Sequence, residues 1–595
     1  MRGKPGTNEK PKDFKKALKN LISYLKPYLT PLIIAIIFAL VGSIFSIIGP
    51  DKIKEITNLI VSGLASSIDL DKIKSIALFL IIIYSIGFVC SYLENFIMAT
   101  ITNRFSKKLR GEISEKINRL PLKYFDKTPY GDILSRVTND VDTLSQTVNQ
   151  SISTLVSSIT LLIGSIFMMF HTNWILALTA IFSSLFGFFF MAIVLAKSQK
   201  YFETFQEEIG NLNGQVEETY TGHNIVKVYN GEEMEISEFD KINSKMFNSA
   251  MKAHFFSGLM SPFMSFIGNF SYVCVCVVGS ALALNGTITF GVIIAFIIYA
   301  RLFTQPLSQI AQVATNLQSA GAASERVFAF LQEEEMPDEA NLVKHLDKSK
   351  VNGNIEFKHV KFGYDKDKTI IKDFSMQAKS GSKIAIVGPT GAGKTTLVNL
   401  LMKFYPIDDG DILIDGVSIK DLTRENIHDL FIMVLQDTWL FEGTIKENIV
   451  YNQENVAFER VKEVAKLVGL DHVIKSLSKG YDTILSDNES LSAGEKQLLT
   501  IARGMLKDAP FLILDEATSS VDTRTEELVQ EAMDNLAEGR TSFIIAHRLS
   551  TIKNADLILV LNEGNVVEQG THEELLKKNG FYANLYNSQF ESINE

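Results

Sequence analysis

The run KIAIVGPTGAGKTTLVNLLM, Lys383 to Met402, is an apolar stretch, a glycine-rich turn and a second apolar stretch at helical spacing. Gly388, Gly393, Lys394 and Thr395 fit the pattern G-x-x-x-x-G-K-[ST]. The chemistry of that pattern is phosphate binding: backbone N–H groups close around the anion, and the N-terminus of the following helix adds positive potential. Gly388, Thr390, Gly391, Gly393 and Thr396 would line the phosphates with Lys394. The Lys394 ammonium would reach the β and γ groups, and the Thr395 hydroxyl would ligate Mg2+. A second cluster lies in FLILDEATSSVD, where four apolar residues precede Asp515 and Glu516. A buried strand ending there would offer Asp515 to Mg2+ and set Glu516 against an attacking water as general base. A surface acidic pair capping a helix is the plainer reading, and the apolar run directly before the pair argues against it.

Those residues need elements to hold them. From Ile355 onward short β-branched runs alternate with helical stretches, an α/β pattern. Ahead of it, EEEMPDEANLVKHLDKSKVNGN is a polar linker. Earlier still, six apolar segments each approach the roughly 20 residues that span a bilayer, at about 29–49, 76–99, 151–171, 174–196, 259–284 and 287–307. The first two are joined by a charge-balanced loop. HTN joins the third to the fourth, with Trp174 as an interface anchor, and NGT joins the fifth to the sixth. The long gaps, about 100–150 and 197–258, are helical in pattern, so the membrane helices should continue beyond the bilayer. The N-terminal ALKNLISYLKPY reads as an amphipathic helix on the membrane surface. No secretory signal peptide is expected. Basic flanks at Arg104, Lys107, Lys108, Arg110, Lys197 and Lys200 place the long gaps and both termini in the cytoplasm. The expected division is 1–28 tail and elbow helix, 29–330 transmembrane domain, 331–352 linker and 353–595 nucleotide domain.

Composition agrees with a membrane part joined to a soluble part. Of 595 residues 46% are hydrophobic and 40 are Phe, yet 21% are charged. The net charge of -10 argues against nucleic acid as a partner, because phosphate neutralisation needs clustered Lys and Arg. Cys90, Cys274 and Cys276 all sit in apolar runs, so neither a metal spacing nor a disulfide framework is implied.

In family order the motifs resemble those of an ABC transporter half-molecule of the multidrug-exporter type. That resemblance implies an all-α six-helix transmembrane domain followed by an α/β P-loop NTPase domain. It covers nearly the whole chain, and it assigns roles. Tyr364 in FGY would stack on the adenine of ATP. Gln436 in VLQDTWLF would contact Mg2+ and water. LSAGE, with Ser492 and Gly494, stands at the signature position, SSVD supplies Asp522, and His547 in IIAHRLST would contact the γ-phosphate. Leu120 to Asp142 and Thr219 to Glu233 resemble the two cytoplasmic coupling regions, which dock near Gln436 and carry movement to the membrane helices.

The signature departs from the family's LSGGQ. Ala493 adds a Cβ where backbone would approach phosphate, and Glu495 puts a charged acceptor where a neutral amide is usual. SDNES before it also lacks the usual glycine. Sound catalytic residues beside a doubtful signature resemble the competent member of a bacterial heterodimeric exporter. A homodimer that tolerates the variant is the alternative. The membrane lipids and a small hydrophobic substrate are the other expected partners. Phe186, Phe188, Phe189, Phe190 and Met191, and later Phe255, Phe256, Phe263, Phe266 and Phe270, suit apolar ligands, although helix packing explains most of them. Glu94 and Arg301 lie toward the cytoplasmic ends of their spans; they would pair across an inward-facing cavity, Glu94 would meet a cationic ligand, or each would snorkel to the interface. A lipid or glycolipid flippase would share every motif. An importer stays open, and a peptide exporter with its own protease is disfavoured for want of a Cys-His peptidase segment. The expected location is a bacterial plasma membrane.

Overall fold

A computed structural model of the chain describes residues 13–64, 67–365, 368–436, 438–485, 491–515, 523–545 and 552–590, leaving aside the side chains of 190–192, 195, 260, 261, 264, 523, 589 and 590. The chain forms two compact units, Met1–Leu120 with Thr128–Glu334, and Pro121–Lys127 with Glu335–Glu595.

The first unit is helical. Its long helices are Leu29–Gly63, Leu70–Arg119, Ile152–Thr172, Trp174–Thr221, Glu232–Gly258, Met260–Leu284 and Phe290–Leu331. Among the described residues five stretches are long and apolar enough to cross a membrane: Phe14–Gly63, Leu70–Arg119, Tyr130–Thr172, Ser265–Leu284 and Phe290–Leu331. Trp174–Phe189 is a shorter apolar stretch, and it opens the helix Trp174–Thr221 where a fourth span is expected. Leu70–Arg119 has 50 residues. At 1.5 Å per residue that is about 75 Å, far beyond a hydrocarbon core of about 30 Å. The polar continuations expected of the long gaps are therefore helical.

Short turns reverse the chain where the sequence has HTN and NGT. Asn173 caps the helix that follows, its Oδ1 accepting from the N–H groups of Ile175 and Leu176 at 3.1 and 3.0 Å. Gly286 supplies the left-handed turn after Leu284, at φ +70°.

One stretch differs from expectation. The charge-balanced loop after the first span is largely helix, because Leu29–Gly63 runs on past Pro50. Lys54 pairs with Asp51 and Lys52 with Glu55, each one turn apart, which lets charged residues continue the helix. The N-terminal helix Phe14–Leu25 buries Ala17, Leu21 and Leu25 on one face. Ser324 donates to the Ala17 carbonyl at 2.9 Å, and the Tyr24 ring meets Phe105 and Phe328 edge-on. Phe14 and Ile22 of the same helix remain exposed. Within the same unit Glu94 is 7% exposed and its carboxylate hydrogen-bonds Ser153, whereas Arg301 is exposed. Among the described ion pairs these two are not joined.

The second unit is built on strands β1 Ile355–Phe362, β2 Ile371–Ala378, β3 Lys383–Val387, β4 Asp409–Ile414, β5 Val417–Ser418, β6 Phe431–Val434, β7 Gly443–Thr444, β8 Ile484–Leu485, β9 Phe511–Asp515, β10 Thr541–Ile545, β11 Leu557–Asn562 and β12 Asn565–Gly570. One sheet runs β12-β11-β3-β10-β9-β6, a second runs β2-β1-β4-β5, and β7 pairs with β8. Neighbours from β11 to β6 are parallel, so their C-terminal ends share one edge. Strands such as FLIL and SFII are buried on both faces, which explains their unbroken apolar runs. The polar stretch that reads as a linker is fastened to this unit. Glu339 pairs with Lys403 at 2.9 Å, and the Asn426 amide exchanges two hydrogen bonds with the Leu346 backbone, each 2.9 Å.

Candidate functional site

Ligands of open parallel sheets gather beyond the carboxyl ends of the strands, and here that edge collects the expected residues. β3 leads into the glycine-rich turn and the helix Lys394–Leu401. β9 ends at Asp515, two strands away, with β10 between them in register. β6 ends at Val434, and Gln436 follows it on the far side of β9. One edge thus brings together the phosphate turn, an acidic residue and an amide.

The turn needs its glycines. A Cβ on Gly388 would stand 2.3 Å from the Leu561 carbonyl oxygen, and Gly393 caps the helix at φ +100°, a left-handed conformation. Thr390, Gly391 and Thr395 are exposed at the turn, while Thr396 is buried beneath it. Lys394 is 9% exposed and donates from Nζ to the carbonyls of Gly388 at 2.8 Å and Pro389 at 3.1 Å. Burial pulls its ammonium below the usual lysine range, and the Asp515 carboxylate opposes that pull. A cation aimed along the turn beside a strand-end carboxylate is the arrangement phosphate binding needs.

Tyr364 lies against the same helix. Its hydroxyl is 3.3 Å from Thr396 Oγ1 and accepts from Asn399 Nδ2 at 3.4 Å. Its ring packs edge-on against Phe362 and Tyr405, each with centroids 5.0 Å apart. Tyr405, buried in this cluster, was not singled out by the sequence. The aromatic FY pair before PIDDG was its only signal, and it reads equally well as core.

The signature turn opens the helix Ala493–Lys507, with Ser492 as its N-cap. The Glu495 carboxylate accepts from the Ser492 N–H at 2.7 Å, and the Ser492 hydroxyl accepts from the Glu495 N–H at 3.3 Å. This is a capping box, and S-x-x-E before an apolar run is its sequence signal. Gly494 is buried and Ala493 exposed. Glu516, Asp522 and His547 lie outside the described residues, as does SDNES.

Comparison with known proteins accords with this arrangement. Residues 32–307 match the family described as ABC transporter transmembrane region, and residues 371–519 match the one described as ABC transporter. The uncharacterized ABC transporter ATP-binding protein YfiC of Bacillus subtilis (strain 168) is 40% identical over 585 residues, 98% of this chain and 96% of its own. A fatty acid ABC transporter ATP-binding/permease protein of Mycobacterium bovis is 46% identical over 477 residues, 80% of this chain and 75% of its own. An ATP-dependent lipid A-core flippase of Syntrophus aciditrophicus is 35% identical over 521 residues, covering 87% and 86%. Among solved structures a bacterial Atm1-family ABC exporter with ATP bound superposes with a TM-score of 0.71 at 26% identity, covering 94% of this chain and 98% of that one. The chain therefore belongs to the ABC transporter family, as a multi-pass half-transporter of the exporter type that binds ATP and couples its hydrolysis to transport.

Proposed function

We propose that this half-transporter is the catalytically competent member of a heterodimer that exports hydrophobic or amphipathic compounds across a bacterial cytoplasmic membrane, with both termini in the cytoplasm. The observation that carries the reading is an asymmetry within one nucleotide-binding unit. The phosphate turn, Lys394, Asp515 and Gln436 share one sheet edge, whereas the signature turn carries the Glu495 carboxylate beside Ser492. Glu495 also sets a carboxylate at a helix N-terminus that would otherwise face phosphate. A partner with a sound signature would complete the site that this chain's Lys394 serves. Exposed Tyr220, Ile225, Val228 and Tyr229 on and beside the short helix His223–Val228 support docking on such a partner.

Among the described residues no three His, Cys, Asp or Glu side chains form a metal cluster. Mg2+ takes one or two protein oxygens and shares the rest of its shell with phosphates and water. Thr395, Asp515 and Gln436 would hold it. When bound, Mg2+ neutralises charge on the transferring phosphoryl group. Tyr364 stacks on adenine. Gly388, Thr390, Gly391, Gly393, Lys394 and Thr396 hold the phosphates, and Ser492, Gly494 and Asp522 would contribute to binding ATP at the interface with a second nucleotide domain. Glu516 takes a proton from the attacking water, and His547 contacts the γ-phosphate. Closure of two nucleotide domains then shifts the membrane helices only as far as ATP favours the closed state. Changing Glu516→Gln is expected to retain ATP binding and lower turnover by about a hundredfold or more, measured with the partner present. Unchanged turnover would remove Glu516 from the role of base.

A second substrate reading has support of its own. The relatives include proteins named for fatty acid transport and for lipid A-core flipping. Phe186, Phe189, Phe255, Phe266 and Phe270 are exposed on the helical unit, a surface that suits acyl chains as well as apolar drugs. Stimulation of ATP turnover by lipids but not by apolar cations would favour the lipid reading.

A further inference from the structure

The segment Pro121–Lys127 belongs to the nucleotide-binding unit, although the chain on both sides of it belongs to the helical unit. It contains the short helix Leu122–Lys127, and the side chains of Lys127 and Asp126 are held within that unit. Lys127 Nζ is 3.2 Å from Asp365 Oδ1, an exposed pair worth little. The Tyr405 hydroxyl donates to the Asp126 carboxylate. That bond is of a stronger kind, an O–H donor to an ionised acceptor, with the tyrosine ring 4% exposed. Burial first, and the neighbouring carboxylate second, hold the Tyr405 hydroxyl well above the usual phenol range, so it remains a donor. Asp126 itself is exposed, so the clasp is anchored in the core at one end and open to water at the other.

From Tyr405 the contacts run inward without a gap. Its ring meets Phe362 with centroids 5.7 Å apart and Tyr364 at 5.0 Å. The Tyr364 hydroxyl sits 3.3 Å from Thr396 and takes a hydrogen bond from Asn399, both on the helix that follows the phosphate turn. We propose that Tyr405 is a positioning residue: through its bond to Asp126 it sets the Tyr364 ring for nucleotide, so that a pull on Pro121–Lys127 from the membrane helices changes ATP affinity directly. This rests on the reading of Tyr364 as the adenine contact. Coupling passes through packed side chains with two arrangements, here clasp closed and clasp open. The edge-on ring contacts alone would keep Tyr405 in place but would not register the position of Asp126.

The test is the affinity of a fluorescent ATP analogue for the full chain in lipid nanodiscs, in a Glu516→Gln background that blocks turnover. Tyr405→Phe keeps the ring and removes the donor; Asp126→Ala removes the acceptor. Each is expected to weaken binding roughly threefold to tenfold. The double variant should be no weaker than either single, since both remove one bond. Asp126→Asn retains an oxygen that can accept from Tyr405 and should recover most of the loss, which a merely structural role would not predict. Tyr364→Ala separates the two ideas. If it weakens binding while Tyr405→Phe and Asp126→Ala do not, the clasp is overturned and the adenine contact stands. If none of the three moves affinity, both fall. Additive losses in the double variant would also overturn the clasp.

Discussion

Ser492 and Glu495 satisfy each other's backbone N–H groups, and that answers why a carboxylate stands in the signature turn. A capping box accepts Glu or Gln at its third helical position, so the exchange from the usual Gln keeps the cap and adds a charge. Ala493, first in the helix and exposed, costs nothing locally, because alanine is a better helix former than glycine. The cap is legible in the sequence as S-x-x-E before an apolar run, and the same residues also match a turn that would face phosphate. Glu495→Gln should therefore leave the melting temperature of the nucleotide unit unchanged. Glu495→Ala should lower it by about 2–4 °C, the usual scale for a lost cap in a domain of this size. Calorimetry of the full chain reads both, and equal melting of Ala and Gln variants would show that the cap does not matter.

The elements of the nucleotide unit are held by contacts that no motif announces. His428, on the helix Arg424–Leu430, donates from Nε2 to the Met402 carbonyl at 2.9 Å, and its own carbonyl accepts from Lys507 Nζ at 2.6 Å. Burial is the main cause that draws its imidazole below the usual histidine range, so the fold keeps it neutral. Below about pH 6.5 the unfolded chain takes up a proton that the folded chain refuses, so stability falls as pH falls from about 7. The slope from this one group reaches at most about 1.4 kcal/mol per pH unit. His428→Gln cannot titrate and should flatten the drop in melting temperature between pH 7 and pH 5.5. An unchanged drop would assign the acid sensitivity elsewhere. Strands β3, β9 and β10 were legible because both-face burial writes itself as continuous apolar residues. Helices that mix charge with apolar spacing were harder. DKIKEITNL reads as loop by charge and is helix because its ions pair one turn apart. The docked linker and the Tyr405–Asp126 bond depend on residues far apart in sequence, so no local pattern carries them.

Across the whole molecule, the apolar helices make it a membrane protein, and the phosphate turn at a parallel-sheet edge makes it an ATP-driven one. The sequence showed both parts, since spans of about 20 apolar residues and a phosphate turn are local patterns. Dimer symmetry is not local. It depends on which signature faces Lys394, and Glu495 is the residue of this chain that bears on it. The most direct measurement is steady-state ATPase activity of the chain purified alone in lipid nanodiscs, with the Glu516→Gln variant as the blank. The heterodimer account predicts activity no higher than the blank while ATP still binds, because the partner's signature is missing. Robust activity above the blank would contradict it, and would mean that LSAGE works in a homodimer.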